Sequence, residues 1–521
     1  MEKTSFNSPI RIAGIQVGSG TLGMTFCPGK RDTGSDGILW RRDLGVDLDA
    51  IMQWGASSIV SIMERDEFTA LSVPDLGSQV QARGIAWHHL PVADQSIPSG
   101  NFLHAWSSLS KSLQRRLAAG EKIVLHCRGG LGRTGLIAAL LLIDLGWGAD
   151  AAIKLIRETR SLRAVETKEQ EEYVRRYLPY LSHASLLGGA IGDSLGADIE
   201  FARIDEIRQI FPYGPDRLAR THAVHENWFT DDTQMTLFTA EGLIRAHVCR
   251  HQNGSMPTAK IVHHALLRWF ATQGGRPAHD IDHGTGLITQ KDLWHQAAPG
   301  RTCLSALEAP RDLGVPAANE SKGCGTIMRV APVALAFPAD DVQFVAMNTS
   351  ALTHGHPVAQ LAAAAWAELL SAAVHKHDVG SAAWEIVQRY SGSSRESDVV
   401  AWAMRDALTA PRDGHVETVE ALGGGWVAEE ALSIALYAAL AGKDFEDGLR
   451  IAVTHSGDSD STGAIAGNLL GLLYPRQVFE HRWAQEVGGR DIIAKLAVDL
   501  PMARWWSSDD AAMLWGQYPG W

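Results

Sequence analysis

Cys127 and Arg133 are separated by five residues in His126-Cys-Arg-Gly-Gly-Leu-Gly-Arg-Thr-Gly135, between an apolar strand pattern (Ile123–Leu125) and an apolar helix pattern (Leu136–Leu145). The glycines let the loop bend so that the backbone N–H groups of Arg128, Gly129, Gly130, Leu131 and Gly132 turn inward. At a helix N-terminus that makes a nest for a tetrahedral anion. The same groups, with Arg133, favour a thiolate at Cys127. The chemistry this spacing predicts is phosphomonoester hydrolysis through a cysteinyl-phosphate. An ordinary buried thiol is the alternative, and the glycine spacing with the strand–loop–helix context outweighs it.

A thiolate nucleophile also needs an acid for the leaving alcohol. Asp94, in Leu90-Pro-Val-Ala-Asp-Gln-Ser-Ile-Pro98, follows a predicted strand and can protonate the leaving oxygen, then activate water. Taken alone, such an aspartate would more often cap a turn. Thr134 can hydrogen-bond the thiolate and help it leave, while His126 reads as support for the loop.

A second chemistry lies in two acidic clusters, Trp228-Phe-Thr-Asp-Asp-Thr233 and His455-Ser-Gly-Asp-Ser-Asp-Ser-Thr462, each just before an apolar helix. Adjacent carboxylates need a cation to hold them together. Oxygen donors from Asp, Thr and Ser suit a hard divalent ion rather than zinc. The competing explanation is capping, since Thr230 and Asp458 are natural N-caps and first-turn carboxylates complement the helix dipole. It explains either cluster but not two equivalent ones beside glycine-rich loops.

Two kinds of element must position these groups. Residues 1–180 alternate short strands (Arg11–Val17, Ser58–Met63, Ala86–Pro91, Lys122–His126) with helical stretches, which predicts an α/β domain. From about Ser185 long Ala- and Leu-rich helical stretches take over (Gln234–Val248, Thr258–Thr272, Pro357–Val374, Ala428–Leu440), predicting an all-α second domain over 184–521. Pro179–His183 is the expected junction. A net charge of −12 argues against nucleic acid as a partner. The five cysteines show no paired spacing, which suits a reducing, cytoplasmic compartment. No signal-peptide or bilayer-spanning pattern is read.

Residues 1–180 resemble the dual-specificity/tyrosine phosphatase superfamily, nearest its cyclin-dependent-kinase-associated branch. The matching stretches are Gly20-Thr-Leu-Gly-Met-Thr-Phe-Cys-Pro-Gly29, His88-His-Leu-Pro-Val-Ala-Asp94, the Cys127 loop and Ala164-Val-Glu-Thr-Lys-Glu-Gln170. The resemblance implies Cys127 as nucleophile, Arg133 as phosphate clamp, Asp94 as acid and no cofactor. Arginine suits a bidentate clamp where lysine does not.

Leu186–Tyr474 resembles the ADP-ribosylglycohydrolase family, typified by the dinitrogenase-reductase-activating glycohydrolase. Five motifs carry this: Gly188-Gly-Ala-Ile-Gly-Asp-Ser-Leu-Gly-Ala-Asp-Ile-Glu200, the Thr230 cluster, Gly323-Cys-Gly-Thr-Ile-Met-Arg-Val-Ala-Pro332, Leu352-Thr-His-Gly-His-Pro357 and the Asp458 cluster. The resemblance implies an all-α bundle with two Mg²⁺ or Mn²⁺ ions. Their ligands would be Thr230, Asp231, Asp232, Asp458, Asp460 and Ser461, the last replacing a threonine found in some members. It also implies Glu200 beside the substrate ribose, the backbone of Gly323, Cys324, Gly325 and Thr326 at a diphosphate, His354 beside ADP-ribose, and a catalytic part for Asp280. Asp282 stands where the family's segment has glycine.

The resulting expectation is a bifunctional hydrolase: a cysteine phosphatase joined to a metal-dependent enzyme that releases ADP-ribose from a protein side chain, arginine favoured, or from a small acceptor. Its partners would be ADP-ribosylated and phosphorylated proteins or small phosphoesters, with no membrane. Two alternatives stay open. Both sites could process one metabolite such as a phosphorylated ADP-ribose derivative, or the phosphatase half could be a phospho-ligand docking module.

Overall fold

The computed structural model describes residues 2–34, 37–98, 102–220, 227–255 and 257–520. The chain divides into two compact units, Met1–Tyr180 and Leu181–Trp521.

The first unit is built on a five-stranded sheet in the order Ala13–Val17, Gly20–Phe26, Lys122–Cys127, Ala56–Ser61, Ala86–His89. Only the edge pair Ala13–Val17 and Gly20–Phe26 is antiparallel; the other three pairings are parallel. Lys122–Cys127 is central and covered on both faces, which is why it reads as a continuous apolar run. Ligands in such sheets bind beyond the carboxyl ends of the strands. Three connections leaving those ends carry the candidate site residues: the loop after Cys127, the helix Arg65–Ala70 after Ala56–Ser61, and the loop holding Asp94 after Ala86–His89. A small sheet of Glu2–Lys3, Leu39–Arg41 and Arg31–Thr33 adds Asp32 and Trp40 to the same side of the cradle.

The regular elements described in the second unit are helices, with one isolated bridge between Gly323 and Val427. Pro179–His183, the expected junction, forms the first turns of the helix Leu178–Gly196. Proline is tolerated there because its missing N–H would have no partner in a first turn. Helix Pro357–Val374 is apolar and long enough to cross a membrane by length and composition, and 61% of it is buried within the protein.

Glycines fix the crossing that matters most. A Cβ at Gly192 would lie 2.0 Å from the carbonyl oxygen of Gly463, and one at Gly188 2.5 Å from that of Gly467. Leu178–Gly196 and Ser459–Leu473 therefore touch backbone to backbone, which draws Asp193 and Asp460 into one electrostatic neighbourhood.

Two candidate active sites

At the first site, Cys127 ends its strand with its sulfur buried, and the Gly130 N–H donates to that sulfur at 3.2 Å. Gly130 sits at φ +70°, and a Cβ there would fall 2.2 Å from the Thr25 carbonyl oxygen, so the cradle requires glycine. Arg160 braces the loop from outside by donating to the carbonyls of Gly130 (2.9 Å) and Gly129 (3.3 Å). His126 is fully buried against Ser61 Oγ at 2.7 Å, and burial lowers its pKa to about 4. A neutral, enclosed imidazole fits support rather than proton transfer.

Arg133 is also buried, 1% exposed. Its Nη1 and Nη2 meet the two carboxylate oxygens of Glu67 at 2.6 and 2.8 Å, Nη1 donates to the Val92 carbonyl at 2.9 Å, and Nη2 lies 2.8 Å from Asp94. Its Nε is buried with no partner among the described residues. A cavity of about 490 Å³ is lined by Cys127, Arg133, Asp94, Arg128, Gly129, Leu131 and Gly132. The Arg128 side chain turns aside to Asp32 at 3.0 Å, leaving its backbone to the loop. Thr134 is buried in the first helical turn, its hydroxyl without a partner among the described residues, outside the cavity lining. Gln170 links the acid loop to the loop at Glu166: its Nε2 donates to the Ser96 carbonyl at 3.1 Å and its Oε1 accepts from the Glu166 N–H at 3.0 Å.

Glu67 and Arg160 escape a reading of the sequence. Glu67 stands in a six-residue helix with no apolar period, and nothing in its local pattern marks it.

At the second site, Asp231 and Asp232 open the helix Asp231–Asn253, and Asp460 and Ser461 lie in the first turn of Ser459–Leu473. Ligand oxygens of Glu200, Asp458 and Asp460 all lie within 4.8 Å of one another. Burial first, and then neighbouring carboxylates with Asp460 foremost, pushes Asp231, Asp232 and Asp458 well above the ordinary range and Glu200 up to about 10. Among the described residues no ion pair compensates these groups, and Asp232 Oδ1 and Glu200 Oε2 are buried without partners. Unpaired buried carboxylate oxygens in an all-oxygen set are what hard divalent cations require, so the residues fit such ions.

Capping accounts for one cluster only. Thr230 is an N-cap whose hydroxyl accepts from the Asp232 N–H, but Asp458 makes no side-chain cap bond. Instead Asp458 Oδ2 accepts from the Cys324 thiol at 2.9 Å. That puts the Cys324 side chain in the cluster, where the sequence pointed only to its backbone. Asp193, which sequence reasoning left without a role, accepts from the Thr230 N–H (2.9 Å) and the Thr233 N–H (3.0 Å) and thereby orients the first cluster.

A cavity of about 330 Å³ brings together Glu200, Asp231, Asp232, Gly323, Cys324, Gly325, His354, Asp458, Asp460 and Ser461. His354 holds the glycine loop from beneath: a Cβ on Gly325 would lie 2.9 Å from its Cε1, and its Nδ1 pairs with Thr353 Oγ1 at 2.9 Å. Burial, then Arg329, lowers its pKa to about 3.

Three expected residues are absent from this cavity's lining: Thr230, whose hydroxyl accepts from the Asp232 N–H at 3.3 Å, Thr326 and Asp280. The Thr326 hydroxyl points into the bundle and donates to the Ala359 carbonyl at 3.2 Å. Asp280 is exposed and absent from the lining. The cause lies in the loop that follows it. Arg268 holds the Thr285 carbonyl, Glu241 accepts from the Leu287 N–H at 3.2 Å, and Asp282 caps the turn by accepting from Gly284 N–H at 2.8 Å. That anchoring binds the segment to a buried Glu241–Arg245–Arg268 group instead of to the carboxylate cluster.

A thiol–arginine cradle on a parallel sheet and a buried acidic pocket in a helical bundle define a two-domain hydrolase. The chain belongs to the ADP-ribosylglycohydrolase family, whose model matches residues 181–509. Residues 8–152 match the model described as Cyclin-dependent kinase inhibitor 3 (CDKN3). An uncharacterized protein of Archaeoglobus fulgidus is 27% identical over 320 residues, 60% of this chain and 94% of that one. ADP-ribosylarginine hydrolase Tri1 of Pseudomonas putida is 26% identical over 327 residues, 61% of this chain and 76% of that one. Human cyclin-dependent kinase inhibitor 3 is 31% identical over 139 residues, 26% of this chain; the match spans 64% of that relative's length. Both enzyme domains are thus present in one polypeptide.

Proposed function

We propose that the second unit hydrolyses the bond between the anomeric carbon of ADP-ribose and an arginine side chain, and that the first unit hydrolyses phosphomonoesters. The observation carrying the first half is the buried, uncompensated carboxylate cluster lining one cavity. The relative named as an ADP-ribosylarginine hydrolase supports the choice of acceptor. Thr230, Asp231, Asp232, Asp458, Asp460 and Ser461 would hold two Mg²⁺ or Mn²⁺ ions. Bound there, the ions supply Lewis-acid chemistry toward the ribose oxygens and water. The chain itself binds and orients. The backbone of Gly323–Gly325 faces the diphosphate with no side chain in the way, His354 keeps that loop in place, and Glu200 holds or moves a proton near the leaving nitrogen.

In the phosphatase half, Cys127 attacks phosphorus and the leaving oxygen takes a proton from Asp94. Water then attacks phosphorus of the cysteinyl-phosphate, giving its proton to Asp94; the S–P bond breaks, restoring the Cys127 thiolate and releasing phosphate. Arg133 and the loop N–H groups carry the phosphoryl charge through both steps.

One purified preparation tests both halves. It is assayed for ADP-ribose release from arginine- and serine-linked peptides and for phosphate release from a phosphopeptide panel, with and without Mg²⁺. Release from the arginine adduct only with Mg²⁺, and phosphate release irrespective of it, is the expected result.

A further inference from the structure

The residue after Glu200 is an aromatic in an unusual state. Phe201 has φ +69°, a left-handed conformation that a bulky side chain rarely adopts, and it is 69% exposed. The turn is fixed by hydrogen bonds from Glu200 N–H to the Gly196 carbonyl (3.1 Å) and from Ala202 N–H to the Ile199 carbonyl (3.0 Å). Its ring stacks on Trp426, itself 42% exposed, with centroids 5.2 Å apart and planes at 22°. Both rings line the carboxylate cavity.

Trp426 is locked as firmly. Gly425 before it has φ +79°, and a Cβ there would meet Thr462 Cγ2 at 2.8 Å and Asp458 Cβ at 3.4 Å. The Trp426 carbonyl accepts from the Cys324 N–H at 3.2 Å. One ring is therefore tied to Glu200 and the other to the Asp458 loop. An exposed aromatic held by strained backbone at a cavity, as Phe201 is, points to a ligand.

We infer that the Phe201–Trp426 stack forms the acceptor subsite, presenting an outer ring face, the one not covered by its partner ring, to the planar guanidinium of the ADP-ribosylated arginine. This rests on the arginine reading above. Aromatic faces attract cations, and a guanidinium offers both a delocalised charge and a plane to stack. A serine acceptor offers neither. The platform adjoins the carboxylates, where the bond to the anomeric carbon is cut, whereas adenine lies two phosphates further along the substrate.

The test uses the full chain with Mg²⁺ and the variants Phe201→Leu, Trp426→Leu and Phe201→Tyr, with folding checked by melting temperature. Each leucine variant is expected to lower kcat/KM on ADP-ribosyl-arginine about tenfold, with Phe201→Tyr restoring it. The Kd for free ADP-ribose, which lacks the acceptor, should stay as in the unmodified protein. An equal loss of ADP-ribose affinity would make the pair an adenine platform and overturn the inference. So would undiminished turnover of the arginine substrate by both leucine variants. A wild-type chain that releases no ADP-ribose from arginine instead defeats the reading of the site itself, and is told apart because it needs no variant.

Discussion

Asp94 Oδ1 lies 2.8 Å from Nη2 of Arg133, on the guanidinium proposed to receive the phosphoryl group. Among the described residues Arg133 Nε has no partner, and a phosphoryl group seated in the cradle would compete with Asp94 for Nη2, and so for the ion pair that holds Asp94 to Arg133.

Asp94→Asn removes that competitor together with the acid. Inorganic phosphate should bind more tightly, while kcat on alkyl phosphoesters such as phosphoserine falls by about 100-fold or more. Aryl esters, whose leaving oxygen needs little protonation, should lose far less. Equal losses across leaving groups of widely different pKa would assign the acid elsewhere.

Glu67 grips Arg133 through two bonds of 2.6 and 2.8 Å, and its Oε2 also accepts from the Glu64 N–H at 2.9 Å. It is a positioning residue for the clamp. Hydrogen bonds between charged groups contribute about 1.5–3 kcal/mol. Glu67→Gln, which keeps one acceptor, should therefore lower kcat/KM for phosphoesters by roughly tenfold with little change in melting temperature. A fall in melting temperature with kcat/KM untouched would mean that Glu67 only braces the helix.

Cys127→Ser should end phosphate release and leave ADP-ribose release intact, because a serine hydroxyl is a far weaker nucleophile than a cysteine sulfur. In the unsubstituted chain, alkylation should stop phosphate release and EDTA should not. Reversible loss to EDTA would point to a metal-dependent phosphatase and away from the cysteinyl route.

The sequence made some of this legible and hid the rest for identifiable reasons. Thr258–Thr272 and Pro357–Val374 are helices with the predicted ends, because their apolar residues recur at helical spacing through to the termini. The strand Gly20–Phe26 was not expected. Gly20 and Gly23 interrupt its apolar pattern, and Gly20 is there because a Cβ would strike the Leu117 carbonyl oxygen at 2.5 Å. Residues clustered in sequence, such as Asp231 with Asp232 and Asp458 with Asp460, announce themselves. Partners supplied from distant elements, such as Glu67 for Arg133 or Asp193 for Thr230, become visible only when the fold closes. Asp280 lies outside the cavity lining because its motif fixes only a local segment, whereas the buried Arg245 and Arg268 decide where that segment lies.

The raised carboxyls of the cluster give the metal-free protein a pH trend that bound cations should change. Burial first, then Asp460, Asp458 and Asp231, raises the Glu200 carboxyl from 4.5 to about 10. A raised carboxyl keeps its proton in the fold at pH values where the unfolded chain has already lost it. The folded state then binds more protons than the unfolded one, so stability is greatest at the acid end and falls as pH rises toward 10. In EDTA, the melting temperature of the helical unit should decline between about pH 5 and 9. Saturating Mg²⁺ should flatten or reverse that slope, since cations replace the protons and bind only the folded state. Asp460→Ala should abolish ADP-ribose release and the Mg²⁺-dependent rise in melting temperature together, and Ser461→Ala, which removes a neutral donor, should weaken both without abolishing either. A melting temperature that climbs with pH in EDTA, or an Asp460→Ala protein still stabilised by Mg²⁺ to the wild-type extent, would show that the cluster is not where the ions bind.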